Sequence, residues 1–375
     1  MPIVRRSTRP ALSRSLCRSL SRPPVSTLGR VLRPLAMGTV LSLAAAASAQ
    51  AQSSVTLYGL LDLSVGQFQT AGSTKLKRMD SGNMSTSYLG VRGVEDLGGG
   101  LKAGFTLDSF LLADSGGAGR VPGVDAFWAR NANLSLSGGF GMLRLGRMGP
   151  PLFVSTLLFN AFGDSFGFSP SIRQYYSLPH GTPLVGDSGW NNAIGYSTPR
   201  FGGLAANVLV AAGEGAATAR GPNVGANLLY FAGPLALTVA WQDVQAQGTL
   251  GRPISAFPGF SSQTAFQFGG SYDLSFAKLF VQYGNIDTKA TAKVETKNLN
   301  ISASIPVGPV AIQLAYGESE SSTAGVAGDS TSEILTLGGN YKLSKRTELY
   351  GVYMSDKFTG KSSGNTLAAG VRHTF

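Results

Sequence analysis

The sequence predicts an all-β fold, an antiparallel transmembrane β-barrel of about 16 strands. Three observations lead to this prediction. Apolar and polar residues alternate with a period of two, and short Gly- and Pro-containing turns alternate with longer polar connections. Residues 52–375 also contain no run of ~18 apolar residues that could form a membrane-spanning helix. Strands with one apolar and one polar face fit a barrel that meets lipid outside and water inside.

The first 51 residues carry the features of an export signal. A basic region extends to Arg33, an apolar run covers residues 35–47, and small residues follow up to Ala51. This pattern predicts a signal peptide at residues 1–51 that is removed, leaving residues 52–375 as one barrel domain. An Arg- and Ser-rich leader is also compatible with an organelle transit peptide.

The net charge of +11 overstates how basic the barrel region is. Eight arginines precede residue 34, and without them the chain has 23 basic and 20 acidic residues, a net charge of +3. This near balance argues against a nucleic-acid partner. The single cysteine, Cys17, lies in the same leader, so the barrel region has no thiol for disulfides or thiolate metal sites.

Residues 55–65, "VTLYGLLDLSV", show the alternation most clearly. The odd positions are apolar or Gly, and the even positions include Thr, Tyr, Asp and Ser. In an extended strand, a period of two places these sets on opposite faces. The pattern recurs in residues 101–108, 235–241, 298–305 and 310–316.

A soluble β-sandwich is the main structural alternative, because its strands also alternate. Two features favour the membrane barrel. Glycines such as Gly90 and Gly270 fall inside strands, and apolar faces end in aromatic residues such as Tyr316 and Phe375. Aromatic residues are typical of the interface between lipid and water. A large secreted β protein remains the alternative.

The chain ends in "GVRHTF", with Phe375 as its last residue. Reading back from Phe375, every second residue belongs to the apolar face, so the ring is predicted to face lipid on a terminal strand. That strand must pair with the first one, because an open sheet edge in a bilayer leaves backbone groups unsatisfied. A terminal aromatic also resembles the signal by which outer-membrane barrels are recognised by the barrel-assembly machinery.

Several segments together resemble the general porins of Gram-negative bacteria. They are "SSVTLYGLLDLSV", "YLGVRGVEDLGGGLKAGFTLD", "GFGMLRLGR", "YKLSKRTELYGVY" and "AAGVRHTF", which span residues 53–375 in order. The resemblance implies a 16-stranded barrel in the outer membrane, surrounded by lipid and lipopolysaccharide and assembled as a homotrimer. It also implies passive diffusion of ions and small hydrophilic solutes through a water-filled channel.

Residues 149–191 form the longest connection, some 40 residues without strand alternation. Loops longer than ~15 residues are usually functional. The resemblance implies that this is the third external loop, which follows the fifth strand and folds into the barrel to narrow it. Its many phenylalanines fit a loop packed against a wall.

Pore chemistry is expected where charges on the lumen face meet this loop, because a narrow constriction focuses the field of nearby charges. The parity of the alternation places Arg92 and Asp108 on the lumen face, and Arg147 resembles the family's wall arginine. We therefore predict a constriction with a basic side of Arg92, Arg147 and Arg173 and an acidic side of Asp108 and Asp164. The family's inward loop often carries several carboxylates, whereas this one offers a single carboxylate in "FGDSFG", which favours weak anion selectivity.

Each of these charges could instead serve only to hydrate the wall and pair with neighbours. Arg130 has an ambiguous face. Aromatic residues could also mark a substrate-specific channel; the candidates are Tyr58, Trp128, Tyr175, Tyr176 and Trp190. A barrel with a purely structural role is a further alternative, and it would need no open lumen.

Catalysis is not predicted. Residues 163–167, "GDSFG", match the nucleophile motif G-x-S-x-G, but the motif needs a strand before it, a helix after it and a histidine base. The barrel region has two histidines, His180 and His373, and the second is expected to face lipid. An outer-membrane hydrolase is therefore the weaker alternative. The sequence predicts no metal site and no cofactor.

Overall fold

The computed structural model describes residues 54–120, 123, 125–176, 184–213, 221–246 and 257–375. The predicted signal peptide, residues 1–51, lies outside the described residues. Strands make up most of the described chain. In order they are β1 (Ser54–Phe68), β2 (Leu76–Ser81), β3 (Tyr88–Gly98), β4 (Leu101–Leu112), β5 (Gly117–Ala118), β6 (Asn131–Gly138), β7 (Gly141–Met148), β8 (Trp190–Ser197), β9 (Leu204–Ala211), β10 (Asn223–Ala232), β11 (Leu235–Gln245), β12 (Ser262–Asp273), β13 (Lys278–Lys289), β14 (Val294–Val307), β15 (Val310–Thr323), β16 (Ser330–Lys342), β17 (Thr347–Phe358) and β18 (Gly364–Thr374).

The eighteen strand segments of the described chain make sixteen barrel strands. β2 and β3 pair with successive halves of β1 and are therefore two parts of one barrel strand. β5 has two residues, which pair with the end of β4, while β4 itself pairs with β6 in the barrel. All pairs are antiparallel, and β18 pairs with β1 to close the sheet. The predicted 16-stranded antiparallel barrel is confirmed.

The two faces of the strands differ as the alternation predicts. On β14 the side chains of Leu299 and Ile301 are exposed on the outside, whereas Asn298 and Asn300 are buried inside the barrel. β1 behaves in the same way, with exposed valines and leucines outside and buried polar residues inside. Such an exterior is stable in lipid, and closing the sheet leaves no unpaired edge there.

The chain end lies at the seam of the barrel. The backbone N–H of Phe375 donates to the carbonyl oxygen of Gly59 at 3.1 Å, and the N–H of Gly59 donates back at 3.2 Å. The predicted pairing of the last strand with the first is thus confirmed. Gly59 also leaves space for the terminal ring, since a Cβ there would lie 2.5 Å from Phe375 Cζ.

Two helices lie in the connection between β7 and β8, which we call the inward loop (residues 149–189). They are α1 (Pro151–Leu158) and α2 (Pro170–Tyr176). Each begins with a proline, whose missing N–H would have no intrahelical partner in the first turn anyway. No helix in the described part of the chain is long and apolar enough to span a membrane.

Candidate pore constriction

The inward loop packs against the inner wall of the barrel, as predicted. α1 contacts β9 to β12, and α2 contacts β14 to β16. Polar wall side chains hold both helices. Gln282 Nε2 donates to the carbonyl oxygen of Thr156 at 3.0 Å, and Thr336 Oγ1 donates to that of Phe168 at 2.8 Å. These bonds satisfy buried backbone groups of the loop that water cannot reach.

Glycines on the inner wall make room for the inward loop. A Cβ at Gly317 of β15 would lie 2.7 Å from Pro170 Cβ, and one at Gly284 of β13 would overlap the hydroxyl of Tyr175. Both distances are shorter than side chains tolerate. These strand glycines therefore allow helix and wall to approach closely.

A cavity of about 750 Å³ lies beneath the inward loop, toward the end of the barrel that carries the short turns. Most of its charged lining residues are basic, and we call it the basic cavity. Five cations and two carboxylates line it: Arg130, Lys342, Lys345, Arg346 and Arg372 with Asp164 and Glu348. The net positive lining attracts anions to this part of the lumen.

Arg92 and Asp108 both point toward the lumen but have different surroundings. Arg92 is exposed, with its guanidinium carbon 4.9 Å from the ring centre of Tyr58. Asp108 is 1% exposed and accepts hydrogen bonds from Arg130 Nη1 at 2.8 Å and Asn131 Nδ2 at 2.7 Å. The hydroxyl of Tyr58 also donates a hydrogen bond to Asp108 Oδ1. Arg130 therefore offsets the charge of Asp108.

Arg147 lies where the inward loop returns to the wall. Its Nη1 donates to the carbonyl oxygen of Gly189 at 3.0 Å and to Asn191 Oδ1 at 2.6 Å, and its Nη2 is 3.6 Å from Asp187 Oδ2. Nε donates to the carbonyl oxygen of Ala129. These contacts tie the loop return to the wall, and Arg147 does not line the basic cavity.

Asp187 also binds Arg120, from the loop between β4 and β6. Arg120 Nη2 lies 2.8 Å from both Asp187 Oδ2 and Asp125 Oδ1, and all three side chains are at most 8% exposed. Burial by itself raises the pKa of Asp125, but hydrogen bonds from Arg120 outweigh it and hold that pKa below its usual range. One buried guanidinium thus joins two external loops.

The two charged residues of the inward loop occupy different places. Asp164 accepts a hydrogen bond from Ser85 Oγ at 2.7 Å and lines the basic cavity. Arg173 is 8% exposed, with Nη2 3.5 Å from Asp356 Oδ2 and Nη1 donating to the carbonyl oxygen of Gly167 at 3.1 Å. The structure brings Asp164 into the basic cavity and places Arg173 between the loop and the wall.

Sequence reasoning missed Arg372 and Glu348, which line the basic cavity and form an ion pair. A signal for Arg372 was available, because the parity that places Phe375 outside places residue 372 inside. Arg130 immediately precedes β6, where the alternation has not yet begun, so its face could not be assigned. Only the folded barrel shows that it reaches Asp108.

The nucleophile motif is not assembled as a catalytic site in the described residues. Ser165 is buried, and its hydroxyl donates to the carbonyl oxygen of Asn83 at 2.7 Å. His373 is exposed and contacts Thr347 Oγ1 at 2.9 Å. His180 lies outside the described residues.

Comparison with known proteins decides the family. The profile of the Gram-negative porin family matches residues 38–361. The chain belongs to the Gram-negative porin family. Outer membrane porin protein 32 of Delftia acidovorans is 35% identical over 320 residues, which cover 82% of this chain and 85% of the relative. An outer membrane porin protein of Bordetella pertussis is 25% identical over 390 residues, covering 88% of this chain and 96% of that one.

Solved structures agree with this assignment. The anion-selective porin from Comamonas acidovorans superposes with a TM-score of 0.71 at 28% identity, covering 86% of this chain and all of that chain. OmpF of Salmonella typhi, at 15% identity and a TM-score of 0.62, shares the fold. The resemblance found in the sequence is confirmed, and the protein is an outer-membrane porin that forms a channel.

Proposed function

We propose that this porin is a general diffusion channel for ions and small hydrophilic solutes, with a weak preference for anions. The basic cavity carries the proposal, because five cations face two carboxylates there and one of those carboxylates, Glu348, is paired with Arg372. The similar structure from Comamonas acidovorans is that of an anion-selective porin, which points the same way.

Within this proposal, the five cations of the basic cavity and the exposed Arg92 supply the positive field, and Asp164 is the acid opposite them. Arg130 and Arg372 contribute less than their full charge, because Asp108 and Glu348 pair with them. Arg147 and Arg173 act mainly by holding the inward loop, because neighbouring groups occupy several of their donors. Asp108 acts by positioning Arg130.

Reversal potentials across planar bilayers under a KCl gradient test the anion preference. We expect chloride to be favoured over potassium by a factor of roughly 2 to 10. Arg130→Gln and Arg372→Gln should each lower this ratio. Arg200→Gln is the matched control, because Arg200 is exposed at a short turn and does not line the basic cavity. A ratio near one in the unmodified protein, or equal effects of all three variants, would refute the assignment.

Single-channel records test general diffusion. Large ohmic steps are expected, whereas small steps blocked by one solute would indicate a substrate-specific channel. Silent bilayers would indicate a structural barrel or a hydrolase. The burial of Tyr175, Tyr176 and Trp190 in loop packing favours the general channel, since these rings are not available to guide a sugar along the lumen. We also propose that the protein has no catalytic activity.

We further propose that residues 1–51 act as a cleaved signal peptide and that Phe375 serves as the assembly signal. The proposed partners are the barrel-assembly machinery, outer-membrane lipid and lipopolysaccharide, and two further copies in a homotrimer. OmpT of Vibrio cholerae, a fold neighbour, is described in a trimer form. Removing Phe375 should lower the amount of folded porin in the outer membrane, and chemical cross-linking should yield a three-chain species.

A further inference from the structure

Two tyrosine rings lie side by side on the lumen face of β1 and β3. The ring centres of Tyr58 and Tyr88 are 6.0 Å apart, and the ring planes are inclined by 72°, which is an edge-to-face arrangement. Tyr88 lines the basic cavity, and Tyr58 lies opposite Gly90, two residues further along β3. We call Tyr58 and Tyr88 the tyrosine pair.

Each ring of the tyrosine pair carries one arginine. The guanidinium carbon of Arg130 lies 4.0 Å from the ring centre of Tyr88, and that of Arg92 lies 4.9 Å from the ring centre of Tyr58. A guanidinium within about 6 Å of a ring centre is attracted by the negative face of the ring. Stacking restrains the plane of the guanidinium and leaves its N–H groups available, because they lie in that plane.

Hydrogen bonds to Asp108 tie the tyrosine pair to Arg130. Asp108 Oδ2 accepts from Arg130 Nη1 at 2.8 Å, and Asp108 Oδ1 accepts from the hydroxyl of Tyr58. Arg130 is thus held at the face of its guanidinium by Tyr88 and at Nη1 by a carboxylate. The same carboxylate fixes the ring that carries Arg92.

Gly90 makes this arrangement possible. It is paired with Tyr58 on one neighbouring strand and with Asp108 on the other. A Cβ at Gly90 would overlap Asp108 Oδ1 and would lie 2.8 Å from Tyr58 Cζ. Glycine in a strand often marks such a close approach, and here it allows the hydroxyl of Tyr58 to reach across β3 to the next strand.

The two arginines differ in what else holds them. Arg130 keeps its ion pair with Asp108 at 2.8 Å, whereas Arg92 forms no ion pair within the part of the chain that the structure describes. Arg92 is also exposed to the lumen, so its charge is not offset by a carboxylate. The ring of Tyr58 is therefore the main restraint on Arg92, and the ring of Tyr88 is one of two restraints on Arg130.

We propose that Tyr58 and Tyr88 are positioning residues for the anion preference of this porin, because each holds one guanidinium in place on the lumen wall. The inference rests on the anion preference proposed above. An arginine side chain without its ring moves over a wider part of the lumen, and its charge then attracts anions less strongly at any one point. Loss of Tyr58 should have the larger effect, since Arg130 keeps Asp108.

Reversal potentials in double-mutant cycles test whether the rings act through the arginines. Tyr58→Leu should lower the chloride-to-potassium ratio about twofold, and Tyr88→Leu about 1.5-fold. In an Arg92→Gln background, Tyr58→Leu should have no further effect, because the cation that the ring holds is absent. The same is expected of Tyr88→Leu in Arg130→Gln. Equal effects of a leucine with and without its arginine would mean that the ring acts only by narrowing the lumen, and would overturn the proposal.

Conservative variants separate the ring from general effects. Tyr88→Phe keeps the ring beside Arg130 and should restore the ratio of the unmodified porin. A ratio as low as that of Tyr88→Leu would contradict the role of the ring. Tyr353→Leu is the control, because it removes a tyrosine on the outside of the barrel, where the hydroxyl donates to Asn365 at 3.0 Å.

Arg92→Lys decides the question if a leucine variant does not assemble. It keeps the charge but replaces the planar guanidinium with a compact, flexible ammonium group, so the ratio should fall. A ratio equal to that of the unmodified porin would contradict the proposal.

Arginine labelling tests the tyrosine pair without relying on the anion preference. Phenylglyoxal reacts with guanidinium groups, and mass spectrometry of the digested porin gives the rate at each arginine. Arg92 should react about threefold faster in Tyr58→Leu, and Arg130 about threefold faster in Tyr88→Leu, because each loses its stacking partner. Arg346, in the turn between β16 and β17, should react at the same rate in both variants.

Unchanged labelling rates at both stacked arginines would overturn the proposal. Failure of the anion preference, in contrast, would appear in the reversal potential of the unmodified porin.

Discussion

The hairpin of β14 and β15 and the barrel strand made of β2 and β3 show two ways of building the same wall. The hairpin pairs fourteen residues with fourteen without a shift of register. The other strand is broken by residues 82–87, whose backbone groups turn to side chains such as Asp62. A break that faced lipid would leave backbone N–H and C=O groups without hydrogen-bond partners. On the lumen side, side chains and water replace the backbone hydrogen bonds that the break removes. Irregular backbone is therefore tolerated on the side of the wall that faces the lumen.

The largest effect is expected in the loops, where one buried guanidinium joins two connections between strands. Arg120→Gln removes the cation shared by Asp125 and Asp187, all three of which are nearly buried. Removing one partner of a buried charge network typically costs about 3–5 kcal/mol. The free energy of unfolding, measured by urea titration in lipid vesicles, should fall accordingly. Arg78→Gln is the control, because its pair with Asp80 is solvent-exposed and should contribute under about 1 kcal/mol.

The pH dependence of the same network has a definite sign. Arg120 lowers the pKa of Asp125 in the folded state. The ion pair therefore stabilises the fold fully at pH values above the pKa of Asp125 in the unfolded chain, and this stabilisation is lost as the pH falls through the lower pKa of the folded protein. Acidification should therefore destabilise the unmodified porin more than Arg120→Gln. Parallel pH profiles for the two proteins would contradict the role given to this network.

On the regular hairpin, the sensitive face is the outer one. Ile301 of β14 is 51% exposed toward the lipid side, so Ile301→Arg should lower the free energy of unfolding by about 2–4 kcal/mol. Ser304→Arg places the same side chain on the lumen face of the same strand and should cost less than about 1 kcal/mol. Equal losses in vesicle unfolding experiments would show that the two faces do not differ as described.

The smallest expected effect concerns the close approach of loop and wall. In Gly317→Ala, the added methyl would meet Pro170, so the loop must shift, and overpacking of this kind costs about 1–3 kcal/mol. Gly339→Ala, on the neighbouring β16, adds a methyl with no atom within 4 Å. Single-channel conductance should change in the first variant and stay constant in the second. If Gly317→Ala left the single-channel conductance unchanged, the inward loop would have enough free space beside Gly317 to accept a methyl group.

Much of the fold was predictable because the barrel depends on local alternation. The faces of Leu299 and Asn300, the pairing of the last strand with the first, and the inward loop all followed from pattern, length and family resemblance. The break at residues 82–87, between β2 and β3, could not be predicted, for a physical reason. It adds four residues to the strand, six in place of two, which is an even number, so the alternation resumes on β3 in the same phase and leaves no mark on the pattern.

The site was less predictable than the fold, because its partners are distant along the chain. Parity alone places Arg372 in the lumen, but nothing local links Asp62 to Tyr350, its hydrogen-bond donor 288 residues away. The same holds for Arg173, which lies 3.5 Å from Asp356. Local pattern indicates which side of the wall a charge occupies, and packing decides what it contacts.

By itself, the sequence determined the class of the protein: a period of two along the chain is enough to separate a lipid-facing surface from an aqueous one, because each residue's face depends only on its position in the strand. The tertiary structure alone decided the constriction. The positions of the basic cavity and of residues 82–87 depend on how far a loop and a broken strand reach into the lumen. That reach is set by contacts between residues that only the closed barrel brings together.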